Sequence, residues 1–236
     1  MAPVPRNHML GSLSPSDLAL IEPHLKTIAL PQGDVLLQQD VHMAHFYFPT
    51  DGMVSLVAVL EDGGSIEVAA IGREGVVGAA LANGTGNAPM TAIVQVAGNA
   101  SRIEAGKFHD AARESATFRK IVAHHNEALI AQIIRTVACN GKHVLEARLC
   151  RWLLMVHDRV NGETLNLTQE FLGQMLGAQR TSVNLAARKL QDARLVTYNR
   201  GRITIVDRAG LEEAACECYA IGRKHFDRLM SLRNTE

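Results

Sequence analysis

The chain has 236 residues, 24 Lys/Arg against 24 Asp/Glu, and an apolar fraction of 47%. That length fits one to two domains with real hydrophobic cores. No run of about 18 uninterrupted apolar residues occurs, which excludes a membrane-spanning helix, and the opening Met-Ala-Pro-Val-Pro-Arg-Asn-His lacks the apolar centre of a signal peptide. Four cysteines (Cys139, Cys150, Cys216 and Cys218) are sparse and irregularly spaced. Reduced thiols in the cytoplasm are therefore expected rather than disulfides. The net charge of zero hides an asymmetry: residues 1–115 carry 6 basic against 12 acidic side chains, and residues 168–208 carry 7 against 3. Concentrated positive charge marks a polyanion partner, so the acidic first half has another task.

Ser14-Pro15-Ser16-Asp17 before Leu18, Leu20, Ile21 and Leu25 predicts a short capped helix. From Ile28 to about Ile103 short apolar runs alternate with turn signals. The runs are Ile28–Leu30, Val35–Leu37, Phe46–Phe48, Val54–Leu60, Ile66–Ile71 and Ala92–Val96. Turns every 8–12 residues predict an all-β sandwich or barrel, with Asp51-Gly52 and Asp62-Gly63 as hairpin turns. From Phe118 to Cys139 the pattern is a long helix through Ile121, Val122, Ala128, Leu129, Ile133, Ile134 and Val137, ended by Asn140-Gly141. It has more apolar surface than one neighbour covers. Pairing with the same helix of a second chain would bury it; packing on the β domain alone is the other reading. Val144 to Val160 is a further helix with Leu149, Trp152, Leu153 and Val156 inward, broken by Gly162.

Thr168 to Leu190 reads as two short helices around a glycine turn. Thr168 caps the first helix, which buries Leu172, Met175 and Leu176. Gly173 permits close crossing, and Gly177 permits the left-handed residue of a sharp helix ending. The second helix buries Val183, Ala186, Ala187 and Leu190 and exposes Gln179, Arg180, Thr181, Asn184 and Arg188. This is a helix-turn-helix pattern, whose second helix enters the DNA major groove. Leu195–Tyr198, Asn199-Arg200-Gly201-Arg202 and Ile203–Val206 then form a basic β-hairpin, a wing. Arg208 to Leu232 is a terminal helix or helix pair. Cys216 and Cys218, two apart on a helix, are expected to face different ways, as ordinary small packed residues rather than a metal or redox site.

A β-roll, a long connecting helix and a winged helix-turn-helix, in that order, resemble the Crp/Fnr family of bacterial transcription regulators. The residues that carry the likeness are Pro31-x-Gly33-Asp34-x-Leu36, Phe46-Tyr47-Phe48-x-x-x-Gly52-x-Val54-Ser55-Leu56, Asp62-Gly63, Glu67-Val68, Ile71-Gly72-x-Glu74-Gly75, Val77-Gly78, Thr168 through Leu190, and the wing. The fold class it implies is α+β: a cyclic-nucleotide-binding-like double-stranded β-helix over 1–115, a dimerisation helix over 116–140, and a winged helix-turn-helix domain over 141–236. It further implies a homodimer on double-stranded DNA with two-fold symmetric half-sites about one helical turn apart. RNA polymerase and a small-molecule effector are further partners it leaves open; no membrane partner, enzymatic activity or cofactor is expected.

The resemblance also implies where this chain departs. Cyclic-nucleotide-binding members place a glutamate just after the glycine of the phosphate cassette and an arginine further on. Here Gly78 is followed by Ala79-Ala80-Leu81, and Pro89-Met90-Thr91 stands where the arginine is expected. A buried phosphate without a cation is costly, so cyclic AMP is not the expected signal. No cysteine precedes Cys139, which excludes the N-terminal iron–sulfur cluster of oxygen-sensing members. His42, His45, His124 and His125 leave a haem- or metal-dependent sensor as an alternative, and a signalling adaptor that does not touch DNA is another.

By the same resemblance, Arg180 matches the base-reading arginine, with guanine O6 and N7 as its natural target. Gln179, Thr181 and Ser182 share its turn, and Asn184 and Arg188 are further groove or backbone candidates. Thr168, Gln169, Arg200 and Arg202 are phosphate candidates. Thr181 and Leu185 stand where well-studied members often have glutamate and a second arginine, so the preferred DNA sequence is expected to differ from theirs.

Overall fold

The computed structural model describes residues 7–82, 86–160, 164–199 and 201–230. The chain divides into two compact units, one of residues 1–56, 70–131 and 225–236 and the other of residues 57–69 and 132–224.

The first unit begins with helices α1 (His8–Gly11) and α2 (Pro15–Ile21). The hydroxyl of Ser14 accepts the Asp17 N–H, the predicted cap. The strands follow as β1 (Lys26–Leu30), β2 (Val35–Leu37), β3 (His45–Pro49), β4 (Met53–Val59), β5 (Ser65–Ile71), β6 (Thr91–Val96) and β7 (Gly98–Glu104), of which the hairpin segment 57–69 groups with the second unit. They form two sheets, ordered β1-β7-β3 and β2-β6-β4-β5. Every predicted strand is present, and β7 is an additional one. Its Gly-Asn-Ala-Ser-Arg-Ile-Glu offers only Ala100 and Ile103 to the core, too weak an alternation to stand out in the sequence. Gly52 and Gly63 both take positive φ. Asp62-Gly63 lies between the paired strands β4 and β5, as expected, whereas Asp51-Gly52 is not a hairpin turn: it links β3 to β4, which lie in different sheets.

Burial of Phe46, Tyr47 and Phe48 in succession shows that β3 is covered on both faces. Phe46 stacks at 3.6 Å on Phe108 of α3 (Ala105–Glu114), and Phe108 meets Phe118 edge-on at 5.0 Å. Phe118 belongs to α4 (Ala116–Lys142). That helix runs past the expected stop at Asn140-Gly141. One glycine costs a helix only about 1 kcal/mol, and His143 N–H still reaches Cys139 O at 3.0 Å.

The second unit holds α5 (Leu145–His157), β8 (Thr164–Asn166), α6 (Gln169–Leu176), α7 (Arg180–Asp192), β9 (Val196–Asn199), β10 (Arg202–Ile205), α8 (Arg208–Ala214) and the first half of α9 (Cys218–Met230). The four predicted inward residues of α5 are buried. Trp152 Nε1 donates to buried Glu67 at 3.0 Å, joining α5 to the tip of the β4–β5 hairpin. The wing is a three-stranded sheet, β8-β10-β9; β8 has one apolar residue in three and gives no period to read. Gly162 lies outside the described residues. Arg208 ties this unit together: it donates to Asp158 at 2.7 Å, Glu212 at 3.0 Å and Tyr219 at 2.7 Å.

One expectation is overturned. Cys216 and Cys218 do not lie on one helix facing different ways. The chain is extended at Ala215 (ψ 154°) after α8, and α9 starts only at Cys218. Both thiols consequently turn toward Cys139, in the last turns of α4.

Candidate nucleic-acid interface

Local chemistry fixes the helix pair. Thr168 is the N-cap of α6, its hydroxyl accepting the Phe171 N–H at 3.2 Å. At the other end Gly177 adopts φ 55°, ψ 45°, and the next residue, Ala178, returns its N–H to Gly173 O at 2.9 Å. A side chain at Gly173 would sit 2.9 Å from Ala178 O, so the absence of a Cβ is what lets the turn fold back on α6. Arg148 of α5 donates to Leu176 O, placing positive charge on the C-terminal carbonyls of α6. Lys189 of α7 pairs with Glu146 of α5, and this partner holds the Glu146 carboxyl below its usual range.

α7 divides cleanly. Val183, Ala186, Ala187 and Leu190 are buried, while Arg180, Thr181, Ser182, Leu185 and Arg188 are exposed and Asn184 is half-buried. Arg180, Asn184 and Arg188, each four apart, form one stripe about 12 Å long at 1.5 Å per residue. Gln179 sits at the N-cap, one position before the helix, and makes no capping bond. Among the described residues the side chains of Arg180, Arg188 and Arg202 have no ion pair or hydrogen bond. They are charged, exposed and unspent within the fold.

The wing and α6 converge. Leu167 N–H donates to Gly201 O at 2.7 Å, and Tyr198 Oη to Leu167 O at 3.3 Å. Exposed Thr168 therefore stands beside the wing turn, where Gly201 has φ 78°. Arg202 opens β10 opposite Asn199 and Asn166. Gln169 is the first residue of α6. Arg200 lies outside the described residues.

In the β-roll, Gly78 (φ 103°) leads into a 3-10 turn, Ala79–Leu81. A cavity of about 20 Å³ lies against it, lined by Leu37, Leu56, Ile71, Leu81, Met90 and Leu129 among others, room for about one water. Among the described residues no charged side chain lines it. His125 is buried beneath Val76, whose N–H approaches its Nε2 at 3.4 Å; burial holds its pKa below the usual value. His42 is exposed and His45 faces Tyr47. The histidines singled out in the sequence are not part of the potential metal-ligand group found among the described residues, which joins Cys139, His143, Cys216 and Cys218.

Residues 27–115 match the cyclic nucleotide-binding domain family and residues 147–214 the Crp-like helix-turn-helix domain family. A roll of the first type followed by a helix-turn-helix of the second defines a two-domain transcription-regulator fold. The chain has the Crp/Fnr-type transcription-regulator fold. A Crp/Fnr-family protein from Eubacterium rectale, described as a transcriptional regulator, is 17% identical, with TM-score 0.70 over 87% of this chain and 96% of its own. FixK2 from Bradyrhizobium japonicum is 14% identical, with TM-score 0.69 over 81% and 98%. A CRP/FNR-family transcriptional regulator from Thermus thermophilus is 20% identical, with TM-score 0.66 over 80% and 98%. Curated protein sequences returned no match.

Proposed function

We propose that this protein is a sequence-specific DNA-binding transcription regulator, not an enzyme, acting as a cytoplasmic homodimer on a palindromic site and not controlled by cyclic AMP. The observation that carries the reading is the exposed stripe of α7. Its free Arg180 and Arg188 flank half-buried Asn184, next to a basic wing held against the start of α6. In the major groove Arg180 reads a guanine. Gln179, Thr181, Ser182 and Asn184 contact neighbouring bases or phosphates. Thr168, Gln169, Arg188, Arg200 and Arg202 meet the backbone and set register rather than sequence.

Pairing rests on α4. Ala123, Glu127, Ile130, Ile134, Val137 and Gly141 are all exposed and alternate at spacings of four and three. Ile130, Ile134 and Val137 are 56–65% exposed. A stripe with that period, apolar at Ala123, Ile130, Ile134 and Val137 and interrupted by Glu127, fits the seam of a two-stranded coiled coil, and a second copy of α4 covers it. Independence from cyclic nucleotides rests on the apolar, water-sized cavity beside Gly78, which offers no cation to a phosphate.

The test is selection of bound sequences from a random DNA pool with purified protein and no ligand added, beside a titration with cyclic AMP. An enriched palindrome and no saturable cyclic AMP binding are expected. Salt-sensitive, sequence-blind binding would refute specific recognition without an effector, and tight cyclic AMP binding would refute the second claim.

A further inference from the structure

We infer that Cys139, His143, Cys216 and Cys218 form a structural zinc site that ties the C-terminal end of α4 to the α8–α9 connection. The four ligand atoms lie within 4.8 Å of one another. Cys139 Sγ is 3.5 Å from Cys216 Sγ, and Cys218 Sγ is 3.7 Å from His143 Nδ1. A tetrahedral ion with Zn–S bonds of about 2.3 Å and a Zn–N bond of about 2.0 Å sets its ligands roughly 3.5–3.8 Å apart. Both distances match those edges. Three thiolates and one imidazole, without an open position, make a closed site of the structural type.

Its surroundings are built for the same ion. Cys139 and His143 are separated by one helical turn, which puts them on one side of the end of α4. The extended backbone at Ala215 aims Cys216 back at them, and the start of α9 brings in Cys218. With Nδ1 turned inward, His143 offers Nε2 to Glu217 at 3.2 Å, the carboxylate–histidine arrangement that fixes a metal-bound imidazole. Charge supports the reading as well. Arg151 is buried, and among the described residues its Nη1 meets only the Met155 thioether at 3.2 Å and its Nε has no hydrogen-bond partner. A buried guanidinium beside three neutral thiols lacks a counter-charge, which is costly. Zinc with three thiolates and a neutral imidazole carries one net negative charge, and Arg151 lies within electrostatic reach of Cys139. A disulfide satisfies less of this: it would use Cys139 and Cys216 alone and leave Cys218, His143 and Arg151 unanswered.

The site goes beyond the DNA-binding reading and is tested separately from it. The untagged full-length chain is purified under reducing conditions without chelator. Its zinc content is measured by elemental analysis, and the ion is exchanged for Co²⁺. One zinc per chain is expected, with the visible absorption of tetrahedral cobalt and a thiolate-to-cobalt charge-transfer band. Cys218→Ser and His143→Ala should each lower zinc retention under chelator challenge by tenfold or more. Should either variant fail to fold, titrating the wild-type thiols with a mercurial while following zinc release replaces it; release in step with thiol modification is expected. Zinc-free protein with four titratable thiols, an octahedral cobalt spectrum, or a Cys139–Cys216 disulfide in the isolated protein would each overturn the inference.

Discussion

Gly75 is a backbone position of the roll that lends itself to a simple test of packing. It is buried, and its φ is not left-handed, so an alanine there meets no backbone strain. The obstacle is His125. A Cβ at Gly75 would stand 2.0 Å from its Cε1, 2.7 Å from Nδ1 and 2.9 Å from Nε2, so the whole ring is in the way. That ring is 4% exposed and cannot swing into solvent without shifting α4. Overpacking of this kind costs about 1–3 kcal/mol. Displacing the ring also strips the buried Val76 N–H of its acceptor, a further ~1–3 kcal/mol. Gly75→Ala should therefore destabilise by about 2–6 kcal/mol, read as a fall in the urea midpoint at constant slope. His125→Ala opens the space that the new methyl needs. The double variant should consequently be at least about 1 kcal/mol more stable than the sum of the two single effects predicts. Strict additivity, or a Gly75→Ala protein as stable as the parent, would refute the packing argument.

Three further outcomes follow from the same geometry. His125 is held neutral by burial, with its folded pKa below the ordinary 6.5; below pH 6.5 the unfolded chain binds a proton the folded chain does not. Stability should therefore fall on acidification by up to about 1.4 kcal/mol per pH unit until the folded pKa is reached, and His125→Gln should remove that share of the slope in urea titrations across pH 4–7. Trp152→Phe keeps the packing but withdraws the Nε1 donor from buried Glu67; a loss of about 1–3 kcal/mol is expected in the same assay, and an unchanged midpoint would show the bond to be idle. Arg202→Ala should weaken binding to specific and unrelated DNA alike and reduce the salt slope by about one unit for each phosphate that the arginine no longer neutralises; an effect confined to one sequence would contradict a phosphate role for the wing.

Much of this organisation is legible in the residues because local and global signals agree. The helix-turn-helix is readable since Thr168, Gly173 and Gly177 each have one structural use, and since Val183, Ala186, Ala187 and Leu190 mark a single face. The roll is readable from alternating runs and Asp-Gly turns. What escapes has weak periods or depends on distant partners. β7 and β8 have too few apolar residues to declare themselves, and Gly141 resembles a stop because its one missing side chain outweighs, in sequence, the hydrogen bonds that carry α4 onward. The cysteine–histidine cluster is hidden for another reason. Cys139 and Cys216 are 77 positions apart, and the break at Ala215 that brings Cys216 and Cys218 together has no glycine or proline to signal it. Arg148 and Glu146, which hold α6 and α7 in place, likewise acquire their roles only from tertiary packing.

The reading of α7 as the base-contacting helix is tested most directly by one comparison. Wild-type protein and Arg180→Ala are titrated against the selected palindrome and against unrelated DNA of equal length, with dimerisation and folding verified in parallel. Removing a bidentate guanine contact costs about 1–3 kcal/mol per half-site, so specific affinity should fall by roughly tenfold or more while binding to unrelated DNA changes little. Equal affinity of the two proteins for the palindrome would contradict the proposal that Arg180 reads DNA.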